Sequence, residues 1–249
     1  MKLKYIFISF ALFSLGCSIR HAYVINNTNQ PAQVIVVDKP KKDILGFSEH
    51  LEKLNPSLRA YVTKLYSDYQ SKEDEFSTWA PLQQYILKTK KSAKNYFKRY
   101  KNPITKADVY RVAYGITEYS SKWGIDPDIT TSYMTQESGF LDIIGDLTYR
   151  HSGKKKPPSM WSVGIGQVQI KEAERELTKR GISSKGLTVD DLVYFKLLNM
   201  DISIHIMSNN VKKYGVSEGL RRYNGGSSYP KKVLAIYSRR SEWKDGNRR

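Results

Sequence analysis

The stretch T-T-S-Y-M-T-Q-E-S-G-F, residues 130–140, ends a helix-spaced apolar stripe on one carboxylate. The residues on that helix face are Ile129, Tyr133, Met134 and Glu137. The Ser-Gly pair that follows Glu137 predicts the end of the helix. A glutamate at this place suits either a solvated helix end or an acid held in a cleft, and the rest of the sequence bears on the choice.

Helical spacing continues along most of the chain. In 43–100, apolar residues recur every three or four positions, and Pro81 suits an early position of a second helix there. Further helices are predicted at 106–123, 127–138, 170–180, 189–213, 216–223 and 229–240. Strand signals are sparse, with 34–37 as a candidate short strand. We therefore predict an all-α protein in which a smaller helical N-terminal region, 43–105, precedes a larger domain, 106–245.

The composition favours an anionic partner. The chain has 249 residues, 41 lysines and arginines against 24 aspartates and glutamates, and a formal net charge of +17. Nucleic acid, an anionic membrane and an acidic polymer such as a cell wall all fit this excess. The sequence has no zinc-spaced cysteines and histidines, no RNP-like aromatic motif and no P-loop, so we do not expect nucleic acid as a partner.

One basic stretch, 88–106, interleaves lysines and an arginine with Tyr96, Phe97 and Tyr100. It suits a surface that holds an anionic polymer or lipid head groups. It also suits a solvated helix face whose aromatic side chains point into the core, and we favour this second interpretation for the aromatic residues.

The N-terminus has the pattern of a secretory signal. Two lysines precede an apolar run, 5–15, which is short for a bilayer, since a spanning helix takes about 20 residues. The run leads to Cys17, the only cysteine, in a setting that resembles a bacterial lipobox, although Ser14 replaces the leucine favoured there. We predict a signal segment at 1–17 with lipid attachment at Cys17, followed by a linker at 18–42. A signal peptide cleaved nearby and an uncleaved anchor are the alternatives.

Four motifs follow one another in the second half of the chain. They are G-I-D-P-D-I-T-T-S-Y-M-T-Q-E-S-G-F at 124–140, S-V-G-I-G-Q-V-Q-I at 162–170, L-N-M-D-I-S-I-H-I-M at 198–207 and L-R-R-Y-N-G-G-S-S-Y-P-K-K-V-L-A-I-Y at 220–237. Each is weak alone, but four in this order resemble the lysozyme-like catalytic domain of the soluble and membrane-bound lytic murein transglycosylases. The resemblance covers about 106–240, and it implies a lysozyme-like fold for the larger domain.

The resemblance also implies a role for each matching residue. Glu137 matches the catalytic glutamate of the family. The residues implied to bind the substrate are Ser138, Gly164, Ile165, Gln167, Tyr223 and Asn224. Gly166 departs from the family, which usually has a methionine there that lines the sugar site. The resemblance therefore does not predict how the sugar is bound at this point.

Several of these residues have a structural interpretation as well. Ser138 also suits a helix end, and Gln167 suits a hydrogen bond to the backbone. Tyr223 suits the core, or a hydrogen bond to Glu137 or to the substrate. Asn224 begins an Asn-Gly-Gly sequence that is typical of a turn.

The histidines do not indicate a metal site. The chain has 4 histidines, and none has the spacing of metal ligands. His205 lies among isoleucines on a predicted helix and is predicted to be a core histidine. We expect neither a metal nor a cofactor.

The chemistry implied by the resemblance uses one carboxylate. A glycosidic bond breaks when its leaving oxygen receives a proton, and a carboxylic acid supplies it near neutral pH when burial raises its pKa. Most glycosidases use a second carboxylate, for which Asp142 and Asp146 are nearby candidates. In the resembling family the 2-acetamido group of the substrate attacks the anomeric carbon, and the same glutamate then takes a proton from the 6-hydroxyl. The product is a 1,6-anhydro sugar, and no water is consumed.

The predicted function is therefore exported peptidoglycan lytic transglycosylation, which cleaves the β-1,4 bond between MurNAc and GlcNAc. The expected location is the periplasm or cell envelope, at the outer membrane if the cell is Gram-negative. The expected partners are peptidoglycan glycan strands and, through Cys17, a membrane. Two alternatives stay open: a muramidase in which Asp142 or Asp146 assists a water, and a non-catalytic wall-binding scaffold.

The segment between Glu137 and Gln167 is longer than the resembling family has. The additional residues, 147–161, include three consecutive lysines followed by two prolines, which predicts an exposed loop. Because this loop lies between two cleft motifs, we expect it to border the groove and to contact carboxylates of the wall.

Overall fold

The described residues fall into two units, Met1–Lys41 and Lys42–Arg249. The computed structural model describes 22–24, 34–36, 44–72, 80–97, 102–145, 150–151, 154–155 and 157–246. In the first unit, β1 (Ala22–Val24) pairs antiparallel with β2 (Val34–Val36), so the predicted strand forms and the predicted linker contains a hairpin. The predicted signal segment with Cys17 lies outside the described residues.

The second unit is built from helices, as the all-α prediction states. Its helices are α1 (Ile44–Lys53), α2 (Pro56–Ser71), α3 (Ala80–Tyr96), α4 (Lys106–Trp123), α5 (Pro127–Ser138), α6 (Ile170–Lys179), α7 (Val189–Tyr194), α8 (Lys196–Tyr214), α9 (Val216–Asn224) and α10 (Tyr229–Gly246). Two short antiparallel pairs join β3 (Arg150–His151) to β4 (Lys154–Lys155) and β5 (Ser162–Val163) to β6 (Val168–Gln169). No helix in the described part of the chain is long and apolar enough to cross a membrane.

Local capping sets both ends of α5, the helix that carries Glu137. The Asp126 carboxylate accepts a hydrogen bond from Asp128 N, and Pro127 occupies an early helical position, where a missing N–H costs nothing. Gly139 ends the helix in the left-handed conformation with a φ of 59°. Phe140 follows with a φ of 65° and a fully buried ring, so the chain reverses directly after Glu137.

The structure breaks two predicted helices. The apolar stripe of the N-terminal region is divided at Asn55, whose side chain accepts a hydrogen bond from Leu58 N and caps α2. The helix predicted at 189–213 is divided at Phe195, whose ψ of 76° is not helical. The Phe195 ring is buried and packs edge-on against the ring of Phe47, with 5.6 Å between the centroids.

The predicted boundary at residue 105 does not separate two units. Leu58, Val62, Leu65 and Tyr69 of α2 belong to the same hydrophobic cluster as buried residues of α4 and α8. The Tyr61 hydroxyl of α2 donates to Asp201 Oδ2 of α8 at 2.5 Å, and Lys90 of α3 forms an ion pair of 2.6 Å with Asp108 of α4. The N-terminal helices are therefore part of the same packed unit as the motif-bearing helices.

The basic stretch of α3 differs from the prediction at its end. Tyr96 is 82% exposed, so its ring does not point into the core, while Phe97 is half-buried beside it. The centroids of the two rings lie 5.1 Å apart in an edge-on contact. Tyr100 lies outside the described residues.

Helix α8 lies at the centre of the second unit, and α2, α4, α6, α7 and α9 pack against it. Its polar residues Asn199, Asp201 and Ser203 are buried together with its apolar ones, because neighbouring elements supply hydrogen-bond partners for each of them. Helix α9 approaches α8 closely at Gly219, where a Cβ would lie 2.8 Å from Val211 N. Helix α8, which carries the third motif, and helix α9, on which the fourth motif begins, are thus in direct contact.

Candidate active site

Residues of all four motifs meet at one groove of about 260 Å³. Glu137, in the last turn of α5, lies half-buried in its wall. The other predicted site residues on the wall are Gln167, Tyr223 and Asn224. Further lining residues include Ser162, Val168, Gln169, Glu172, Ile206, Arg222 and Gly225. The sequence motifs are therefore adjacent in space.

Glu137 lies next to an amide and to tyrosine side chains. Asn224 Nδ2 donates to Glu137 Oε1 at 3.4 Å. Burial raises the pKa of the Tyr229 hydroxyl far above its ordinary value, and the Glu137 carboxylate raises it further through its charge and a side-chain hydrogen bond. Tyr229 begins α10. The ends of α5 and α9 and the start of α10 therefore lie next to one another at Glu137.

Tyr223 holds the second motif. Its hydroxyl donates to Gly166 O at 2.6 Å and shares a 2.8 Å hydrogen bond with Ser203 Oγ. Ser203 Oγ also lies 2.8 Å from the hydroxyl of Tyr133, whose ring packs against that of Tyr223. Burial raises the pKa of the Tyr223 hydroxyl well above its ordinary value, with smaller contributions from Tyr133 and Glu137. Of the predicted roles, the structure favours the structural one, with a hydrogen bond to the backbone.

Asn199, which the sequence analysis did not select, fixes the turn that connects β5 to β6. Its side chain is fully buried, accepts from Gly166 N at 2.9 Å and donates to Val163 O at 2.9 Å. A Cβ at Gly164 would lie 2.6 Å from Asn199 Cγ, and φ there is 74°. The first glycine of the motif is therefore required both by its backbone conformation and by the asparagine packed against it.

Three residues predicted to touch substrate lie behind the groove. Ser138 is buried, and its hydroxyl donates to Ile165 O at 2.8 Å. Ile165 and Gly164 are also buried, and none of the three lines the groove. The Ser138 hydrogen bond joins the end of α5 to the turn, so these residues fix where Glu137 and Gln167 lie relative to each other.

Gln167 reaches the groove while its amide is bound to the backbone. Gln167 Nε2 donates to Gly164 O at 2.7 Å and to Ile143 O at 3.1 Å. Its backbone has a φ of 52°, and among the described non-glycine residues only Phe140 shares such a positive φ. Both strained positions therefore flank the candidate site, a frequent location for strain of this kind.

The departure at Gly166 has a structural reason. A Cβ at this position would lie 2.3 Å from Ser203 Cβ and 3.4 Å from Asn199 Oδ1. The space that a side chain would need is filled by the serine that links Tyr133 to Tyr223. A methionine therefore does not fit here without displacing that cluster.

Asp142 is not the second carboxylate of the groove, contrary to one alternative from the sequence. It is buried and pairs with Lys196 Nζ at 2.7 Å. Lys196 also contacts Asp108, which pairs with Lys90 on its other side. Burial alone would raise the pKa of Asp108, but Lys196 and Lys90 lower it to about 2. Asp146 lies outside the described residues.

Glu172, on α6, is the second carboxylate that lines the groove. It forms an ion pair of 2.5 Å with Arg175, one turn further along the same helix. Its charge also contributes to raising the pKa of the Tyr223 hydroxyl. No sequence signal marks Glu172 as a groove residue, because an acid in the first turn of an amphipathic helix is usually solvated.

His205 is half-buried rather than enclosed in the core. Its Nδ1 lies 2.5 Å from Glu176 Oε1, and its ring packs on that of Trp123 with 3.9 Å between the centroids. Burial lowers its pKa below the ordinary value, and Arg180 adds to this effect. Within the described ranges, no group of three histidine, cysteine, aspartate or glutamate side chains is placed to hold a metal ion.

The described residues of the additional segment 147–161 include a short antiparallel strand pair. Arg150 pairs with Lys155 and His151 with Lys154, and a 3-10 turn at Pro158–Met160 leads into β5. The chain then enters the groove wall at Ser162. The expected contact with wall carboxylates stays a prediction.

A scan against models of known protein families and searches of curated proteins and of solved structures found no match.

Proposed function

We propose that the protein is an exported lytic transglycosylase that cleaves the MurNAc–GlcNAc β-1,4 bond of peptidoglycan and leaves 1,6-anhydro-MurNAc ends. In this proposal residues 106–245 form a lysozyme-like catalytic domain. One observation carries it: Glu137, Gln167 and Asn224 come from three separate motifs and line one groove. Convergence of separated polar residues around a half-buried acid is the usual form of a catalytic site.

Glu137 acts first as the acid and then as the base. Its proton passes to the glycosidic oxygen, and the bond from that oxygen to the anomeric carbon breaks while the 2-acetamido oxygen of the same sugar attacks. The ionised Glu137 then accepts the proton of the 6-hydroxyl, whose oxygen displaces the acetamido oxygen at the anomeric carbon. Atoms balance without water, so a second carboxylate that activates water is not needed.

The neighbours of Glu137 suit these two roles. Asn224 Nδ2 donates to one carboxylate oxygen at 3.4 Å and so favours one orientation of the carboxyl group, which a proton donor needs. The rings of Tyr133 and Tyr229 are buried and that of Tyr223 is partly buried, so together they limit the access of water to the inner side of the site. The negative charge of Glu137 contributes to raising the pKa of all three tyrosine hydroxyls.

Muramidase activity is the second candidate, and Glu172 is the observation that favours it. A hydrolase needs a carboxylate to assist water or to bind the sugar covalently. Glu172 lines the groove with Glu137, although its ion pair with Arg175 holds it in place. The third alternative, a non-catalytic wall-binding scaffold, predicts that Glu137 is dispensable.

Location and partners belong to the same proposal. The net charge of +17 suits a partner that carries carboxylates, as peptidoglycan does. Lipid attachment at Cys17 would tie the enzyme to a membrane of the cell envelope and limit its reach.

The test is digestion of purified peptidoglycan followed by mass spectrometry of the soluble products. Transglycosylation gives muropeptides that lack one water relative to hydrolysis products. Hydrolysed ends would establish the muramidase alternative, and unchanged lysis by a folded Glu137→Gln variant would refute the role of Glu137.

A further inference from the structure

A second cavity, of about 290 Å³, continues the groove. Glu137 does not line it, but Glu172, Ile206, Arg222 and Tyr223 line both cavities. A chain molecule bound at Glu137 therefore meets a second binding space along the same wall.

Arg222 is positioned on the wall that the two cavities share. Its guanidinium carbon lies 4.0 Å from the centroid of the Tyr214 ring, and its Nε donates to Glu218 Oε1 at 2.8 Å. Its two Nη groups make no hydrogen bond with the described residues, and 46% of its side chain is exposed. The stacking and the single Nε bond hold the guanidinium plane while its outer edge stays accessible.

The positive charge of Arg222 is only partly balanced by its neighbours. Arg221 takes both oxygens of Glu218, with hydrogen bonds of 2.6 Å to each. Glu218 therefore serves two arginines with one negative charge. The other cations of the second cavity also contact acids: Arg175 pairs with Glu172, and Lys179 shares Glu176 with Arg180 and His205.

We propose that Arg222 binds a carboxylate carried by the glycan strand, next to the sugar on which Glu137 acts. The inference rests on the proposed function. A guanidinium edge with two free N–H groups matches a carboxylate in a paired arrangement, which a neutral glycan does not offer. The carboxylate comes from the peptide stem or, once the stem has been removed, from the lactyl group of the muramic acid.

The matched control is Arg221. It lies on the same helix, contacts the same glutamate and is equally exposed at 46%, but it lines neither part of the groove. Arg221→Gln removes one positive charge from α9 in the same way as Arg222→Gln does. A difference between the two variants therefore reports the position of Arg222 and not the net charge.

The experiment measures binding by the full chain with Glu137→Gln added to stop turnover. The probes are a neutral chitohexaose, glycan strands with peptide stems, and strands from which an amidase has removed the stems. Arg222→Gln is expected to weaken binding of carboxylate-bearing strands about tenfold, the usual scale for a charge-assisted pair of hydrogen bonds, and to leave chitohexaose unchanged. Arg222→Lys should recover part of the loss.

The stem-bearing and stem-free strands distinguish the two carboxylates. Only the strand that carries the carboxylate bound by Arg222 should lose affinity in Arg222→Gln. Unchanged binding of both strands, or an equal loss for chitohexaose, overturns the proposal. The proposed function is checked separately by the products of the unmodified enzyme. Anhydro products with no effect of Arg222→Gln would reject this inference alone, whereas absent cleavage and absent binding would reject both.

Discussion

Replacement of Asn199 by alanine tests how the groove is held together. The fully buried amide makes two hydrogen bonds, to Gly166 N and to Val163 O, each of 2.9 Å. Asn199→Ala leaves a buried donor and a buried acceptor unsatisfied, and each costs about 1–3 kcal/mol. We expect the free energy of unfolding to fall by about 3–4 kcal/mol, which corresponds to a loss of about 6–15 °C in Tm for a unit of this size.

The same variant should lose activity while it is still folded, because the turn that carries Gln167 loses its two hydrogen bonds to Asn199 of α8. We expect a loss of at least about tenfold in kcat/KM on peptidoglycan at 25 °C, measured with urea unfolding on the same preparations. Asn95→Ala is the control, since Asn95 is exposed on α3 and lines neither cavity. A Tm equal to that of the control, or full activity in Asn199→Ala, would refute the pinning role.

Three other substitutions test separate parts of the account. Gly166→Met, which restores the residue usual in the resembling family, should lower both Tm and activity, because its Cβ would lie 2.3 Å from Ser203 Cβ; a thermal scan with normal Tm would contradict this. Asp108→Asn should cost about 2 kcal/mol at pH 6 by denaturant titration. The folded pKa of Asp108 is lowered to about 2, so its stabilisation is present above pH ~4 and lost as the pH falls through ~2; a difference from the unmodified protein that persists at pH 2 would contradict the ion-pair assignment. Glu172→Gln should keep most of the activity if Glu137 works alone, within about threefold in kcat/KM, whereas a loss of about a hundredfold or more would favour the muramidase alternative.

Local sequence signals predicted the parts of the fold that depend on local chemistry. The Asp126-Pro127 start and the Gly139 end of α5 follow from capping and backbone conformation, and the structure places them where the sequence analysis did. The break at Phe195 has no such signal. It depends on a ring contact with Phe47, more than a hundred residues away, and a single sequence does not reveal that contact.

The candidate site, like the fold, was predicted only in part from the sequence. Motif resemblance selected residues that do converge, but it did not show which of them face the groove. Ser138 and Ile165 bind each other behind the wall, because their positions depend on how α5 meets the β5–β6 turn. Asn199 and Tyr229 were both inside quoted motifs, yet their roles follow from contacts with distant elements.

The mass of the products released from purified peptidoglycan tests the central claim most directly. The account predicts muropeptides with 1,6-anhydro ends, one water lighter than hydrolysis products. It also predicts that Glu137→Gln, folded by circular dichroism and thermal unfolding, releases none. Products with ordinary reducing ends, one water heavier than the anhydro products, would contradict the account. Undiminished release of products by the folded Glu137→Gln variant would also contradict it.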